Sequence, residues 1–137
     1  MPQADTVLCA LPATRHTQHV MGAEQFALMK KASVLVNVGR GSAVDTDALV
    51  AALQAGRPGA AALDVTDPEP LPANHPLRQC PNAFLTPHIA GLSFGHRPEV
   101  TDYVVHLFEQ NLRRFLAGQP LQNEVDTALG YTKKSAQ

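Results

Sequence analysis

Short apolar runs alternate along the chain with segments whose apolar residues recur at helical spacing. Four runs have the length of a strand and are almost entirely apolar: residues 6–11, 34–38, 60–65 and 83–86. Three segments have apolar residues on one helical stripe: 23–29, 45–55 and 100–116. Strands that alternate with helices favour a parallel sheet, because parallel neighbours need a crossover connection. The uniformly apolar runs predict a sheet that is covered on both faces.

Capping residues set the expected bounds of the helices. Asp45 is the predicted N-cap of the second helix and Gly56 its C-terminal stop. The last helix is the longest periodic element, and Gly118 followed by Pro120 is predicted to end it. The segment 67–81 is too rich in proline to predict regular structure. The tail from residue 121 to 137 gives little signal and is predicted to fray.

Composition excludes several classes of protein. The chain has 137 residues, a formal net charge of -1, 45% hydrophobic and 17% charged residues. These values fit a globular domain and give no bulk attraction to nucleic acid or to an anionic membrane surface. The apolar runs are far shorter than the roughly 20 residues that span a bilayer. Cys9 and Cys80 belong to no Cys-x-x-Cys pair. A reducing cytoplasmic compartment is therefore expected, with a disulfide between them as the alternative.

Three polar signatures follow three of the apolar runs. Arg40 lies in Gly-Arg-Gly after the second run, Glu69 in Asp-Pro-Glu-Pro after the third, and His88 in Thr-Pro-His after the fourth. Ligands of open parallel sheets bind in the crevice outside the carboxyl ends of the strands. Histidine is suited to proton transfer near neutral pH, a carboxylate can orient it, and arginine matches a substrate carboxylate bidentately. The set predicts hydride chemistry on a 2-hydroxy or 2-keto acid.

A dinucleotide-binding fingerprint is the competing interpretation of the same residues. Gly39-Arg40-Gly41 follows a predicted strand, and Asp64 ends the next strand, as a ribose-binding acid would. Val44 occupies the third glycine position, however, and that glycine normally brings helix and strand close together. This interpretation also leaves Glu69 and His88 without roles.

An ordered set of motifs resembles a known family. The motifs are Leu35-Val36-Asn37-Val38-Gly39-Arg40-Gly41, Ala62-Leu63-Asp64-Val65 with Glu69-Pro70-Leu71-Pro72, and Leu85-Thr86-Pro87-His88-Ile89-Ala90-Gly91. In this order they resemble the D-isomer-specific 2-hydroxyacid dehydrogenases, and the match covers nearly the whole chain. The resemblance implies an α/β fold that is the C-terminal half of a Rossmann-type parallel sheet of about four strands, with a long C-terminal helix.

The resemblance implies chemical roles for three residues. Arg40 binds the carboxylate and keto oxygen of a small 2-keto or 2-hydroxy acid. Glu69 pairs with His88, and His88 is the general acid and base.

It also implies a set of cofactor contacts, with NAD or NADP as the cofactor. Asp64 hydrogen-bonds the nicotinamide carboxamide, with capping of the following turn as the alternative role. The other contacts expected for the cofactor come from Pro12, Thr17, Val38, Gly39, Arg40, His88 and Gly91. No metal is implied, and the His16-x-x-His19 spacing lacks a third ligand nearby.

Family members carry a Gly-x-Gly-x-x-Gly unit ahead of these motifs, and no such pattern occurs in this sequence. Residues 1–92 are therefore expected to form a partial dinucleotide-binding domain, and 93–137 a helix and tail that pack on a substrate domain. The chain by itself is expected to be inactive and to form homo-oligomers through an unpaired strand edge. The alternatives are a non-catalytic family remnant, an oligomerising half-domain, or an interaction module that uses the last helix.

Overall fold

Four short parallel strands organise the first part of the molecule. In the computed structural model they are β1 (Thr6–Cys9), β2 (Val34–Asn37), β3 (Ala60–Leu63) and β4 (Ala83–Leu85), adjacent in chain order. Val7 lies opposite Leu35, and Leu35 lies opposite Ala61. The predicted four-stranded parallel sheet is confirmed, and each strand ends one to two residues earlier than its apolar run.

The structure describes residues 1–91 and 97–132, which divide into two compact units. The first unit is Met1–Ala90 and the second is Gly91–Gln137. The domain boundary predicted between residues 92 and 93 falls outside the described residues, so the domain assignment stays a prediction.

Two helices provide the crossovers between the strands of the first unit. Helix α1 spans Ala23–Ala27 and α2 spans Thr46–Gln54. Asp45 is the N-cap of α2, as predicted, and its Oδ1 accepts a hydrogen bond from the Ala48 amide at 3.0 Å. Leu49 and Leu53 of α2 are buried and pack into one core with Phe26 and Leu35. The helical stripes read from the sequence therefore face the sheet.

Burial alternates along the strands. Leu35 and Ala61 are fully buried, whereas Leu8 is 63% exposed and Phe84 is 65% exposed. Within the described residues one face of the sheet carries the core, and the other is open at its outer strands. The expectation that both faces are covered is wrong for this part of the chain, because uniform apolarity shows only that both faces could be covered.

The proline-rich segment contains one regular element that the sequence did not predict. Residues Pro76–Gln79 form a short 3-10 helix, and the Nδ1 atom of His75 caps it by accepting a hydrogen bond from the Leu77 amide at 3.1 Å. Leu77 is fully buried and anchors the turn in the core. A proline is compatible with a first helical turn because its missing N–H has no intrahelical partner there.

The second unit consists of a long helix and a small hairpin. Helix α3 spans Pro98–Leu116, and Gly118 follows it with a positive φ, as its predicted role as a stop requires. Strands β5 (Val125–Asp126) and β6 (Tyr131–Thr132) pair antiparallel. The predicted fraying of the tail is wrong for this hairpin, and residues 133–137 lie outside the described part. No helix among the described residues has the length and apolarity needed to cross a membrane.

Candidate active site

All four parallel strands end at one edge of the sheet, and the loops that leave this edge carry the predicted site. Arg40 follows β2 by three residues, Glu69 follows β3 by six, and His88 follows β4 by three. The loop after β1 contains Pro12 and Thr17. Residues that are far apart in the sequence thus lie on neighbouring loops at one edge of the sheet.

A buried asparagine shapes the loop that carries Arg40. The Asn37 side chain is fully buried; its Oδ1 accepts from the Gly39 amide at 3.1 Å, and its Nδ2 donates to the Arg40 carbonyl at 3.0 Å. The first bond fixes the amide of Gly39, before the Arg40 Cα atom, and the second fixes the Arg40 carbonyl, after it. The Arg40 side chain itself is exposed, and its Nη1 donates to the Gly39 carbonyl at 2.8 Å.

The two glycines beside Arg40 are required by close packing. A Cβ atom at Gly39 would lie 2.5 Å from the Leu11 nitrogen and 2.6 Å from the Leu11 oxygen. A Cβ atom at Gly41 would overlap the backbone of Thr66. Gly39 therefore lets the β1 and β2 loops meet, and Gly41 lets the β2 and β3 loops meet. The Arg40 backbone is held between the loop of Pro12 and the loop of Glu69.

This packing explains the motif without a dinucleotide fingerprint. Residues Gly41–Ala43 form a 3-10 turn, and Val44 is extended and bridges Met21. Helix α2 begins only at Thr46, so Gly-Arg-Gly does not open onto an α-helix N-terminus that could receive a pyrophosphate.

The side chains of Glu69 and His88 are hydrogen-bonded to each other. The His88 Nδ1 atom lies 2.8 Å from Glu69 Oε1, and both side chains are close to half exposed. The loop that presents Glu69 is tied down by Thr46, whose hydroxyl donates to the Asp67 carbonyl at 2.9 Å, and by Thr66, whose hydroxyl donates to the Pro68 carbonyl at 2.9 Å. Because Glu69 engages Nδ1, the His88 Nε2 atom is the ring nitrogen left for proton transfer.

Asp64 is buried, and its backbone carbonyl accepts a hydrogen bond from the His88 amide. Its Oδ1 accepts from the Thr86 hydroxyl at 2.5 Å and from the Ile89 amide at 2.8 Å, and its Oδ2 accepts from the Ala90 amide at 2.8 Å. Burial raises the pKa of this carboxyl, but the hydrogen bonds from Thr86, Ala90 and Ile89 and the nearby charge of His88 together place the pKa below its ordinary value. Asp64 is therefore a carboxylate near neutral pH. Its carboxylate contacts the turn after β4 and not the turn that directly follows Asp64, which was the alternative weighed from the sequence.

Three of the residues predicted to line the cofactor, Pro12, Thr17 and Val38, follow strands β1 and β2 at the same edge of the sheet. The Thr17 hydroxyl donates to the Pro12 carbonyl at 2.7 Å, so both lie in one turn after β1. Val38 is 40% exposed, and its amide donates to the Cys9 carbonyl at 2.9 Å. Gly91 is exposed and opens the second unit. Contact of any of these residues with a cofactor stays a prediction.

A cavity of about 250 Å³ adjoins Glu69. Its polar rim includes Asp64, Thr66 and Thr86, and its apolar wall includes Leu71 and Leu85. Neither Arg40 nor His88 lines this cavity. Among residues 1–91 and 97–132, no three His, Cys, Asp or Glu side chains come together as a metal site.

Three residues of the site were not singled out from the sequence: Asn37, Thr66 and Thr86. Asn37 had a visible signal, because a lone amide inside an apolar strand needs buried hydrogen-bond partners. Thr66 directly follows the third apolar run and Thr86 ends the fourth, and nothing in the sequence indicated that their hydroxyls hold the site loops.

Comparison with known proteins identifies the family of the fold. The family model described as D-isomer specific 2-hydroxyacid dehydrogenase, NAD binding domain, matches residues 1–90. Glyoxylate/hydroxypyruvate reductase B from Escherichia fergusonii is 49% identical over 97 residues, which are 71% of this chain and 30% of that protein.

Solved structures agree with this assignment. A D-isomer specific 2-hydroxyacid dehydrogenase from Xanthobacter autotrophicus Py2, in complex with NADPH and MES, superposes with a TM-score of 0.81 at 36% identity over 91% of this chain and 49% of that one. An NADPH-dependent glyoxylate/hydroxypyruvate reductase from Sinorhizobium meliloti, in complex with NADP and sulfate, gives 0.78 at 31% identity over 95% and 41%. The chain thus spans less than half the length of these relatives.

Proposed function

Because this chain belongs to the D-isomer specific 2-hydroxyacid dehydrogenase family, we propose that it supplies the acid-base and substrate-binding residues of an NAD(P)-dependent oxidoreductase. The substrate is a small 2-keto acid, reduced to the 2-hydroxy acid, or the reverse. The observation that carries the proposal is the hydrogen bond of 2.8 Å between Glu69 and the Nδ1 atom of His88, at the edge of the sheet where the Arg40 loop also lies.

Proton transfer falls to His88. Glu69 accepts from Nδ1 and stabilises the positive charge of the ring, so that Nε2 carries the proton to be donated to the keto oxygen. In the oxidative direction Nε2 takes the proton from the substrate hydroxyl. A bound nicotinamide supplies or accepts the hydride when it is present.

Substrate binding falls to Arg40. Its guanidinium is exposed and rises from a loop whose backbone is fixed by Asn37 and the flanking glycines. A planar guanidinium pairs with a carboxylate through two parallel hydrogen bonds. Its position between the β1 and β3 loops supports the assignment of this group to the carboxylate and keto oxygen of the substrate.

The described residues can border the nicotinamide half of a dinucleotide. The Pro12–Thr17 turn, the exposed Val38 and the Asp64 carboxylate are the groups that would border the nicotinamide and its ribose. The sequence contains no Gly-x-Gly-x-x-Gly turn for the pyrophosphate. The proposed cofactor is NAD or NADP, and these 137 residues by themselves are proposed to turn over little or no substrate.

A cofactor-free binding experiment tests the substrate assignment. Glyoxylate, or oxalate as an unreactive dianion, is titrated into the ¹⁵N-labelled chain and followed by NMR. We expect the Arg40 side-chain and neighbouring backbone signals to shift, and the shifts to disappear in Arg40→Gln. Shifts that persist in Arg40→Gln, or that lie far from the loops of Arg40 and His88, contradict the proposal.

The second candidate is a non-catalytic half-domain that associates with copies of itself. It is favoured by β1, which is an outer strand of the sheet and has Leu8 63% exposed. Such an edge presents unpaired backbone groups and templates pairing with another chain. An NADH fluorescence titration separates the candidates: unchanged fluorescence together with absent glyoxylate binding supports the second, and Arg40-dependent glyoxylate binding supports the first.

A reducing compartment, the cytoplasm, is proposed as the location. Cys9 and Cys80 are both buried and both free, which supports an environment that does not require a disulfide.

A further inference from the structure

The turn that carries His88 has little packing to hold it. Residues 86–90 are all exposed, and His88 adopts a φ of 56°, in the left-handed region that non-glycine residues seldom occupy. An exposed turn with a strained residue at its centre needs specific hydrogen bonds to keep one conformation.

Four hydrogen bonds to one residue provide this restraint. The His88 amide donates to the Asp64 backbone carbonyl at 2.9 Å. The amides of Ile89 and Ala90 each donate to a different oxygen of the Asp64 carboxylate at 2.8 Å, and the Thr86 hydroxyl donates to Oδ1 at 2.5 Å. Asp64 thus binds the turn before His88 through Thr86, at His88 through its amide, and after His88 through Ile89 and Ala90.

Asp64 connects the buried sheet to the turn of His88, the proposed proton donor. Asp64 directly follows β3, and its own amide donates to the Asn37 carbonyl at 2.9 Å, so its backbone continues the sheet. It is 6% exposed, which shields its charged hydrogen bonds from water. A carboxylate has about four acceptor positions, and donors among the described residues take three of them, two on Oδ1 and one on Oδ2.

We propose that Asp64 is a positioning residue that keeps the His88 imidazole against Glu69 by fixing the turn of residues 88–90. Its meaning for catalysis rests on the proposed function, but the restraint itself is a property of the folded chain. Removal of the carboxylate frees the turn to leave the left-handed conformation, and the 2.8 Å contact between Nδ1 and Oε1 is then lost.

The experiment compares Asp64→Asn with wild type by NMR of the 137-residue chain. Asparagine keeps one acceptor oxygen, but its NH₂ group replaces the other. One of the two backbone amides then faces a second donor, and its hydrogen bond is lost. We expect hydrogen exchange of the Ile89 and Ala90 amides to accelerate roughly tenfold or more, and the hydrogen-bonded Nδ1 proton of His88 to disappear. Asp67→Asn is the matched control, because it makes the same change of charge and the Asp67 carboxylate accepts no hydrogen bond from the described residues.

Exchange of the Ala61 amide, which donates to the Asn82 carbonyl in the sheet, reports whether the fold is intact. Unchanged exchange at Ile89 and Ala90, or a retained Nδ1 signal in a folded Asp64→Asn variant, overturns the proposal. If that variant does not fold, Thr86→Val is used instead, because it removes one hydrogen-bond donor to Asp64. We expect it to accelerate exchange at Ile89 and Ala90 and to weaken the Nδ1 signal by a smaller factor than Asp64→Asn. The absence of these changes overturns the proposal. Neither readout needs turnover, so failure of the proposed function, read by the glyoxylate titration, is distinguished from failure of the positioning role.

Discussion

Replacement of Gly39 by alanine tests the claim that the β1 and β2 loops meet through this glycine. The new Cβ atom would lie 2.5 Å from the Leu11 nitrogen, whereas ordinary contact begins near 3.4 Å, so the two backbones must separate by about 0.9 Å. Neither contacting atom belongs to a side chain that could turn away. Overpacking of this kind costs about 1–3 kcal/mol, and we expect Gly39→Ala to reduce the free energy of unfolding by that amount.

Urea denaturation followed by circular dichroism measures this difference, and the melting temperature should fall by at least about 4 °C for a unit of this size. Gly22→Ala is the control, because its Cβ atom would meet nothing closer than 3.5 Å and its φ of -116° suits alanine. Gly22 caps α1, so the control is expected to lose less than about 1 kcal/mol. Equal losses in the two variants, or no loss in Gly39→Ala, would refute the close-packing explanation.

Three further predictions follow from the site and the sheet edge. Because the pKa of Asp64 in the folded chain lies below its ordinary value of 3.8, its contribution to stability is complete above 3.8 and is lost as the pH falls further, through the lowered pKa of the folded state. The urea midpoint of wild type should therefore drop more between pH 6 and pH 3 than that of Asp64→Asn. Arg40→Lys should weaken glyoxylate binding in the NMR titration at least about tenfold, because a lysine makes no bidentate pair, and equal affinity would contradict the assigned geometry. Leu8→Lys should shift the chain toward monomer in sedimentation velocity if β1 mediates association, and an unchanged distribution would exclude this edge.

The hydrophobic pattern predicts the elements of the first unit because each helix and strand buries a regular stripe. Leu49 and Leu53 on α2 and Leu35 on β2 show this directly, since their spacing in the sequence and their burial agree. Asp45 was predictable for a different reason, because a side-chain cap depends on one residue and its position. The strand ends then located the loops of Arg40, Glu69 and His88.

Elements held by polar contacts were beyond this kind of prediction. The 3-10 helix of Pro76–Gln79 depends on the His75 side chain as its cap, and the β5–β6 hairpin depends on Asp126, whose carbonyl accepts from the Gly130 amide at 2.8 Å. Such contacts leave no hydrophobic period. For Asn37 and Asp64 the sequence shows a polar residue at the end of an apolar strand, but not which backbone groups its side chain binds.

We propose that the Glu69–His88 pair and Arg40 provide the acid-base and substrate-binding groups of a 2-hydroxyacid dehydrogenase. The most direct test of this claim is a chimera in which this chain replaces the matching segment of a glyoxylate/hydroxypyruvate reductase, which then supplies the Gly-rich unit. We expect the chimera to oxidise NADH or NADPH with glyoxylate, and the His88→Gln chimera to lose this activity. A folded chimera that binds the dinucleotide but does not oxidise it, or that keeps full activity after His88→Gln, would contradict the claim.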